Sequence, residues 1–114
     1  MQPEATPIER FVIFSFLTDV GVPTERAATL VLSIRCTSRH ETGAGFFATF
    51  STSIPELVAA FQNSAASKTF RMRTTRELLL FDLYPTQADQ FEVEGAVVGP
   101  HWPPHLAPED LEEA

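Results

Sequence analysis

The first long apolar run of the chain, Phe11–Leu17, follows a helix start signal. Thr6 can cap a helix, Pro7 suits the first helical position, and Glu9 stands where a capping box needs it. The pattern therefore predicts a helix over about 7–18. A strand over the apolar run stays open, because periodicity does not distinguish the two for so short a run. A helix that is apolar on nearly every side is either buried or faces a partner.

The helical pattern gives way to an alternating one near residue 30. Gly21 and Pro23 end the first element, and Thr24 can cap a short second helix. Alternation then predicts a strand at roughly 32–40. The apolar face of this alternating stretch would consist of Leu30, Leu32, Ile34 and Cys36.

The remaining elements are connected by short turns. Alternation predicts a second strand over 45–52, and Ser53 with Glu56 forms a second capping box for a third helix that ends at about 64–67. Three further strands are predicted at 68–74, 77–84 and 90–98. The most apolar of them, 77–84, should be central, and turn residues join it to the next strand as an antiparallel hairpin.

This order of elements indicates an α+β protein. We expect residues 1–106 to form a single domain, with an antiparallel sheet of about five strands and two or three helices packed on one face. Hydrophobic residues make up 44% of the 114 residues and charged residues 20%, which is typical of a folded domain and excludes a disordered chain. Ten phenylalanines predict a core rich in aromatic contacts.

The charge and cysteine content narrow the classes of function. The net charge of −7 disfavours nucleic acid as a partner. Four of the acidic residues fall within the last six, which predicts an acidic, disordered tail over 107–114. The single cysteine, Cys36, excludes an intramolecular disulfide and favours a reducing compartment. Phe11–Leu17 is too short to span a bilayer, so we expect a cytoplasmic protein with no membrane partner.

The stretch TGAGFFATF, residues 42–50, raises two functional interpretations that its details disfavour. A dinucleotide fingerprint needs a third glycine and a following helix, and here Ala48 and β-prone phenylalanines stand instead. An RNA-binding strand needs a basic residue where Thr42 stands and a stacking aromatic where Ala44 stands. The interpretation that remains is a turn in which Gly43 and Gly45 supply positive φ or a close backbone approach.

The same stretch resembles one found in a group of small uncharacterised bacterial proteins, with the pattern SR-x-x-TG-x-GFF-x-x-F and a C-terminal EG…WP segment. The resemblance covers about residues 38–103, and it departs in EGAVVGPHWP, which lacks an aromatic residue after the glycine. It implies one small α+β domain and no particular activity. The matching positions are Ser38, Arg39, Thr42, Gly43, Gly45, Phe46, Phe47, Phe50, Glu94, Gly95, Trp102 and Pro103.

Basic residues offer candidate chemistry at two places. Arg39 and His40 adjoin Glu41, an arrangement that suits anion binding or acid–base work. Arg71 and Arg73 share a strand face and either pair with Glu92 and Glu94 across the sheet or are free to bind an anion.

Metal binding is disfavoured for the two C-terminal histidines. The prolines between His101 and His105 forbid the helix that would bring those side chains together. We therefore predict no metal and no cofactor.

We expect a non-enzymatic protein-interaction module, with a small-ligand (anion) binding protein or an enzyme using Arg39, His40 and Arg71 or Arg73 as the alternative. The reasons are the missing catalytic set and the excess of apolar side chains on the first helix. The partner would be another protein or a second copy, with a homodimer through the helix preferred and the tryptophan packed against the body. The candidate interface residues are Phe14, Phe16, Leu17 and Trp102.

Overall fold

The computed structural model describes residues 4–114, which form one six-stranded antiparallel sheet with three helices. The spatial order of the strands is β1-β2-β5-β4-β3-β6. This confirms the predicted α+β fold, with one strand more than expected. The helices are α1 (Pro7–Asp19), α2 (Thr24–Val31) and α3 (Glu56–Ala59). The strands are β1 (Ile34–Glu41), β2 (Gly45–Thr52), β3 (Ala66–Met72), β4 (Leu78–Gln87), β5 (Gln90–Val97) and β6 (Leu111–Glu113).

Helix α1 begins at its predicted capping box. The amide of Glu9 donates to Thr6 Oγ1 at 3.1 Å, and the amide of Thr6 donates to Glu9 Oε1 at 2.8 Å. The helical interpretation of Phe11–Leu17 is therefore right, and the strand alternative is wrong. Phe16 and Leu17 are buried in the core, so they are not free to form the predicted interface. No helix within residues 4–114 is long and apolar enough to cross a membrane.

The core between the helices and the sheet is aromatic, as the phenylalanine content predicts. The rings of Phe50 and Phe91 stack with centroids 5.4 Å apart, and Phe70 meets Phe81 edge-on at 5.9 Å. Phe11 of α1 packs against Phe70 at 5.6 Å, which joins the helix layer to the sheet. Such pairs stabilise a fold by about 0.5–1.5 kcal/mol each beyond the area they bury.

Strand β1 starts later than predicted and contains a β-bulge. Leu30 belongs to α2, and Leu32 is 77% exposed, so the alternating face predicted from residue 30 begins only at Ile34. Cys36 is opposite Phe50 and Ser38 is opposite Thr49, which leaves one extra residue on β1. A bulge moves the following side chains to the other face of a strand. It thereby turns Arg39 toward the helices, where the unbroken alternation would have put it on the opposite face.

The third helix is shorter than predicted and is capped differently. Pro55, not Ser53, occupies its N-cap position, and no side chain caps it. The Thr52 hydroxyl instead accepts from the Ile54 amide at 3.0 Å. Gln62 and Asn63 take positive φ values of 51° and 62°, so the chain leaves the helical conformation after one turn.

The C-terminal residues 107–114, predicted to be disordered, are ordered in the structure. Pro108–Asp110 form a 3-10 turn, and β6 then pairs with β3. Leu111 is only 3% exposed because it inserts into the core, and Glu112 lies 3.7 Å from Arg73. This acidic segment is ordered because Leu111 anchors it in the core and basic neighbours on β3 and after it compensate its charge.

Candidate functional site

The structure does not bring the predicted anion-binding residues together. Arg39 points toward the helices, whereas His40 lies on the other side of the sheet. Arg71 is on β3, four strand spacings from β1 and thus about 19 Å away. One site that combines Arg39, His40 and Arg71 is therefore excluded by the strand order.

The predicted cross-strand pairing of arginines with glutamates is also wrong. Strand β4 lies between β3 and β5, so Arg71 and Arg73 cannot meet Glu92 and Glu94. The acidic residue near these two arginines is instead Glu112 of β6. Glu112 is opposite Arg71 in the strand register and lies 3.7 Å from Arg73. The sequence did not reveal this partner, since residues 107–114 had been predicted to lie outside the fold.

Both glycines of the turn between β1 and β2 occupy positions where a side chain would be unfavourable. Gly43 has a φ of +85°, a conformation that favours glycine. At Gly45 an added Cβ would lie 1.9 Å from the carbonyl oxygen of Gly95, so the backbones approach too closely for a side chain. The carbonyl of Gly43 also accepts from the Trp102 amide at 2.7 Å, which ties the C-terminal segment to the turn.

Trp102 packs on the protein's own body. Its ring meets Phe46 edge-on at 5.5 Å and Phe81 at 5.9 Å. Phe14, another predicted interface residue, is half-buried and packs against the core. These contacts leave little exposed apolar area at the positions where the sequence predicted an interface.

A cavity of about 400 Å³ opens where Trp102, the glycine turn and the first turn of α1 meet. We call it the end cavity. Its apolar lining includes Ile8, Phe46, Trp102 and Leu106. Its polar lining includes Glu9, Arg39, Glu41 and His105. Three segments far apart in the sequence form it, and the sequence pointed to only some of its residues.

The wall of the end cavity contains a buried ion pair. Arg39 Nε donates to Glu9 Oε2 at 3.1 Å, and Arg39 Nη2 donates to Glu9 Oε1 and to the carbonyl of Glu4. The side chains are 14% and 3% exposed. Burial alone would lower the pKa of Arg39, but the hydrogen bond and charge of Glu9 outweigh it and the pKa is raised. Arg39 is thus held as a cation that already has its counter-ion.

The side of the sheet away from the helices carries exposed apolar groups, and we call this side the open face. Leu80 and Tyr84 of β4 lie there, 41% and 36% exposed. Phe47 of β2 is 49% exposed, and Val98, directly after β5, is 59% exposed. These are four of the six exposed large hydrophobic side chains within residues 4–114, so exposed apolar surface is concentrated on this face.

Carboxylates interleave with these apolar groups. Asp82 lies between Leu80 and Tyr84 along β4, and its direct partner on β5 is Glu94. Glu92, the other acid of β5 on this face, is opposite Tyr84. Within the part of the chain that the structure describes, no lysine or arginine forms an ion pair with any of the three acids.

Tyr84 reports the electrostatic character of the open face. Its pKa is raised above the ordinary value, first by partial burial and then by the charges of Asp82 and Glu94. A negative potential that disfavours a phenolate favours a cation at the same place. Among residues 4–114, however, no group of three or more histidine, cysteine or acidic side chains is arranged to hold a metal ion.

The open face was not identified in the sequence, although a signal for it was present. In ELLLFDLY, residues 77–84, alternate side chains point to opposite faces of the strand. One set is buried, and the other set contains Leu78, Leu80, Asp82 and Tyr84. The acid in the second set indicates that this face is exposed to solvent. The leucines beside the acid therefore indicate an exposed face that is unusually apolar. The overall apolarity of this strand predicts burial, and the exposed face becomes apparent only when alternate residues are compared.

Family models, curated proteins and solved structures were each compared with this chain, and none of them matches it.

Proposed function

We propose that this protein is a non-enzymatic interaction module that binds a basic, amphipathic segment of a partner protein on the open face of its sheet. The observation that carries the proposal is the interleaving of exposed apolar side chains with carboxylates that lack basic partners. Exposed apolar surface bounded by polar residues is characteristic of interaction sites. Leu80 and Phe47 would supply apolar contacts, and the carboxylates would select a partner with lysine or arginine.

The register of the strands supports a basic partner in particular. Asp82 and Glu94 are direct cross-strand partners, and like charges directly opposite each other destabilise a sheet by about 0.2–1 kcal/mol. A lysine or arginine placed between them would replace that repulsion by attraction. Binding of a cationic segment is therefore favoured beyond what burial of the apolar side chains contributes.

The same charges disfavour a second copy of the chain as the occupant. A two-fold contact centred on the acids of two open faces would place Asp82, Glu92 and Glu94 of each copy against the same acids of the other, since the basic residues of this face, Arg35 and Arg71, lie on β1 and β3. Helix α1 offers little replacement surface, since Phe16 and Leu17 are buried in the core and Phe14 is half-buried. We therefore propose a different protein as the partner, in place of the homodimer favoured by the sequence.

Isothermal titration calorimetry with an amphipathic peptide of lysine and leucine tests this function. We expect saturable binding that weakens as salt is raised, because exposed charges attract the peptide. Leu80→Ser should weaken binding through lost apolar contact, and Glu94→Gln should weaken it and reduce its salt dependence. The control is Leu32→Ser, which removes the most exposed leucine, on the loop between α2 and β1.

Two results would contradict the proposal. One is peptide binding that Leu80→Ser and Leu32→Ser weaken equally, since that would indicate non-specific apolar contact. The other is binding that does not respond to salt or to Glu94→Gln.

In a lysate of the host cell, the same variants should lose any partner that the wild-type protein retains, and Leu32→Ser should keep it.

A further inference from the structure

The lining of the end cavity has one carboxylate more than it has permanent cations. Its lining includes two carboxylates, Glu9 and Glu41, and one permanent cation, Arg39. Glu9 and Arg39 bind each other. Glu41 is exposed and forms no ion pair within residues 4–114. The lining is therefore net negative, and its excess charge lies on Glu41.

Most donors that an anionic ligand would need are already engaged by the protein itself. Two nitrogens of Arg39 bind Glu9, and one of them also binds the carbonyl of Glu4. At the start of α1, Pro7 has no N–H and the amide of Glu9 donates to Thr6 Oγ1. Arg39 Nε, Arg39 Nη2 and the amide of Glu9 are thus occupied by the protein itself, and the net negative charge of the lining disfavours an anion at this place.

The remaining lining suits a cation with an apolar body. Phe46 and Trp102 contribute aromatic surface, and Ile8 and Leu106 contribute aliphatic surface. Aromatic faces attract ammonium groups, tryptophan most strongly, and a carboxylate beside them adds a charge-assisted hydrogen bond. The volume of about 400 Å³ lies within the range of sites that take small molecules.

The cavity wall is also held in place by the fold. The amide of Trp102 donates to Gly43, and the amide of Val97 donates to Ala44 at 2.9 Å. The buried pair of Glu9 and Arg39 joins α1 to β1 on the other side. A preformed site binds without a large cost for ordering its walls.

From these features we propose that the end cavity binds a small organic ammonium ligand. Its aromatic or alicyclic body packs against Phe46 and Trp102, and its positively charged nitrogen lies beside Glu41. Phe46 is on the face of the sheet toward the helices, so this site is separate from the open face. The proposal therefore does not depend on the proposed function.

Trp102 is the only tryptophan of the chain, so its fluorescence reports occupation of the cavity directly. The probes are phenethylamine, 2-phenylethanol and phenylacetate, which share a phenyl ring and differ in charge. We expect a saturable fluorescence change with phenethylamine, at a Kd about tenfold or more below that of 2-phenylethanol. Phenylacetate should bind most weakly. Tighter binding of phenylacetate than of phenethylamine, or no saturable change with phenethylamine, would overturn the proposal.

Two glutamate variants locate the charge that recognises the amine. Glu41→Gln should weaken phenethylamine binding about tenfold, the loss of one charge-assisted hydrogen bond, and leave 2-phenylethanol unchanged. Glu92→Gln, which removes the same charge from the open face, should have no effect. Equal effects of the two variants, or no effect of Glu41→Gln, would refute the assignment. Glu41 is exposed, so its variant is expected to fold.

A blocked peptide with a single lysine distinguishes a free amine from a protein side chain. The flexible lysine stem fills the aromatic part of the cavity poorly, so the peptide should bind more weakly than phenethylamine. If it binds more tightly, the cavity recognises a lysine of a partner and the small-ligand proposal is wrong. Because Glu92→Gln and Leu80→Ser leave this site intact, failure here can be told apart from failure of the proposed function.

Discussion

The two faces of the sheet differ in whether their charged side chains form ion pairs. On the covered face, Lys68 is 11% exposed, lies 2.8 Å from Asp19 and also pairs with Glu113. Arg39 on the same face binds Glu9. On the open face, Asp82 and Glu94 lie directly opposite each other with no basic partner among the described residues.

This difference distinguishes the charges on which folding stability depends from the charges that folding does not require. A buried charge must be paired, because an unpaired one destabilises the folded state by several kcal/mol. An exposed carboxylate carries no such requirement. The paired charges under the helices therefore serve stability, whereas the fold does not require the unpaired acids on the open face, which are the ones that we propose for binding.

The largest expected effect is on the buried pair. Arg39→Ala leaves Glu9 buried without its counter-ion and should lower the free energy of unfolding by about 3–5 kcal/mol. Urea denaturation followed by circular dichroism measures it. The control is Arg26→Ala, which breaks the solvent-exposed pair with Glu56 and should lower stability far less than Arg39→Ala. Equal losses in the two variants would contradict the distinction between the covered pair and an exposed one.

The next effects concern the turn that supports the end cavity. Gly45→Ala forces a Cβ against the carbonyl of Gly95 and should cost about 2–3 kcal/mol. Gly43→Ala has room for its Cβ but keeps a φ of +85°, so about 1–2 kcal/mol is expected. Thermal denaturation compares them, and Gly43→Asn serves as the control because asparagine tolerates this conformation better. Melting temperatures that do not change in either alanine variant would show that the turn is not constrained.

A third substitution should act in the opposite direction. Glu94→Gln removes the repulsion with Asp82 and should raise the free energy of unfolding by about 0.2–1 kcal/mol. Glu25→Gln, at an exposed position in the first turn of α2, provides a comparison outside the acidic cluster. A clear loss of stability in Glu94→Gln would mean that the open face contributes to folding, and the contrast between the two faces would fail.

The smallest effect is the titration of Tyr84, the only tyrosine. Its raised pKa means that the folded protein holds the phenolic proton more tightly than the unfolded chain. The linked stability is present below pH of about 10 and is lost as the pH rises through the folded pKa. Ultraviolet titration should show a midpoint above that of free tyrosine, and Glu94→Gln should lower it. A midpoint that neither Glu94→Gln nor added salt changes would contradict a negative open face.

Local signals explain how much of the fold was predictable. The capping box of Thr6 and Glu9 lies within four residues and correctly marked the start of α1. Period-two alternation located the strands, and the glycine turn was recognised from Gly43 and Gly45. The extra strand β6 was missed because composition alone hides the one apolar anchor, Leu111, among acids.

The candidate sites depended on contacts that the sequence does not display. Arg39 meets Glu9 thirty residues away, and only a bulge after Cys36 turns it to that side. Lys68 likewise finds Asp19 through the packing of α1 on β3. The strand order decided that Arg73 meets Glu112, and no local pattern determines strand order. Local chemistry was therefore predicted better than the pairing of charges.

The central claim, that the open face is the binding surface, is tested most directly by nuclear magnetic resonance. Amide chemical shifts are recorded while the lysine–leucine peptide is added to the folded protein. We predict that the largest shifts fall on the strands around Phe47, Leu80 and Glu94, and that Leu80→Ser removes them. Shifts centred on α1 or on the end cavity, with the open face unchanged, would contradict the account.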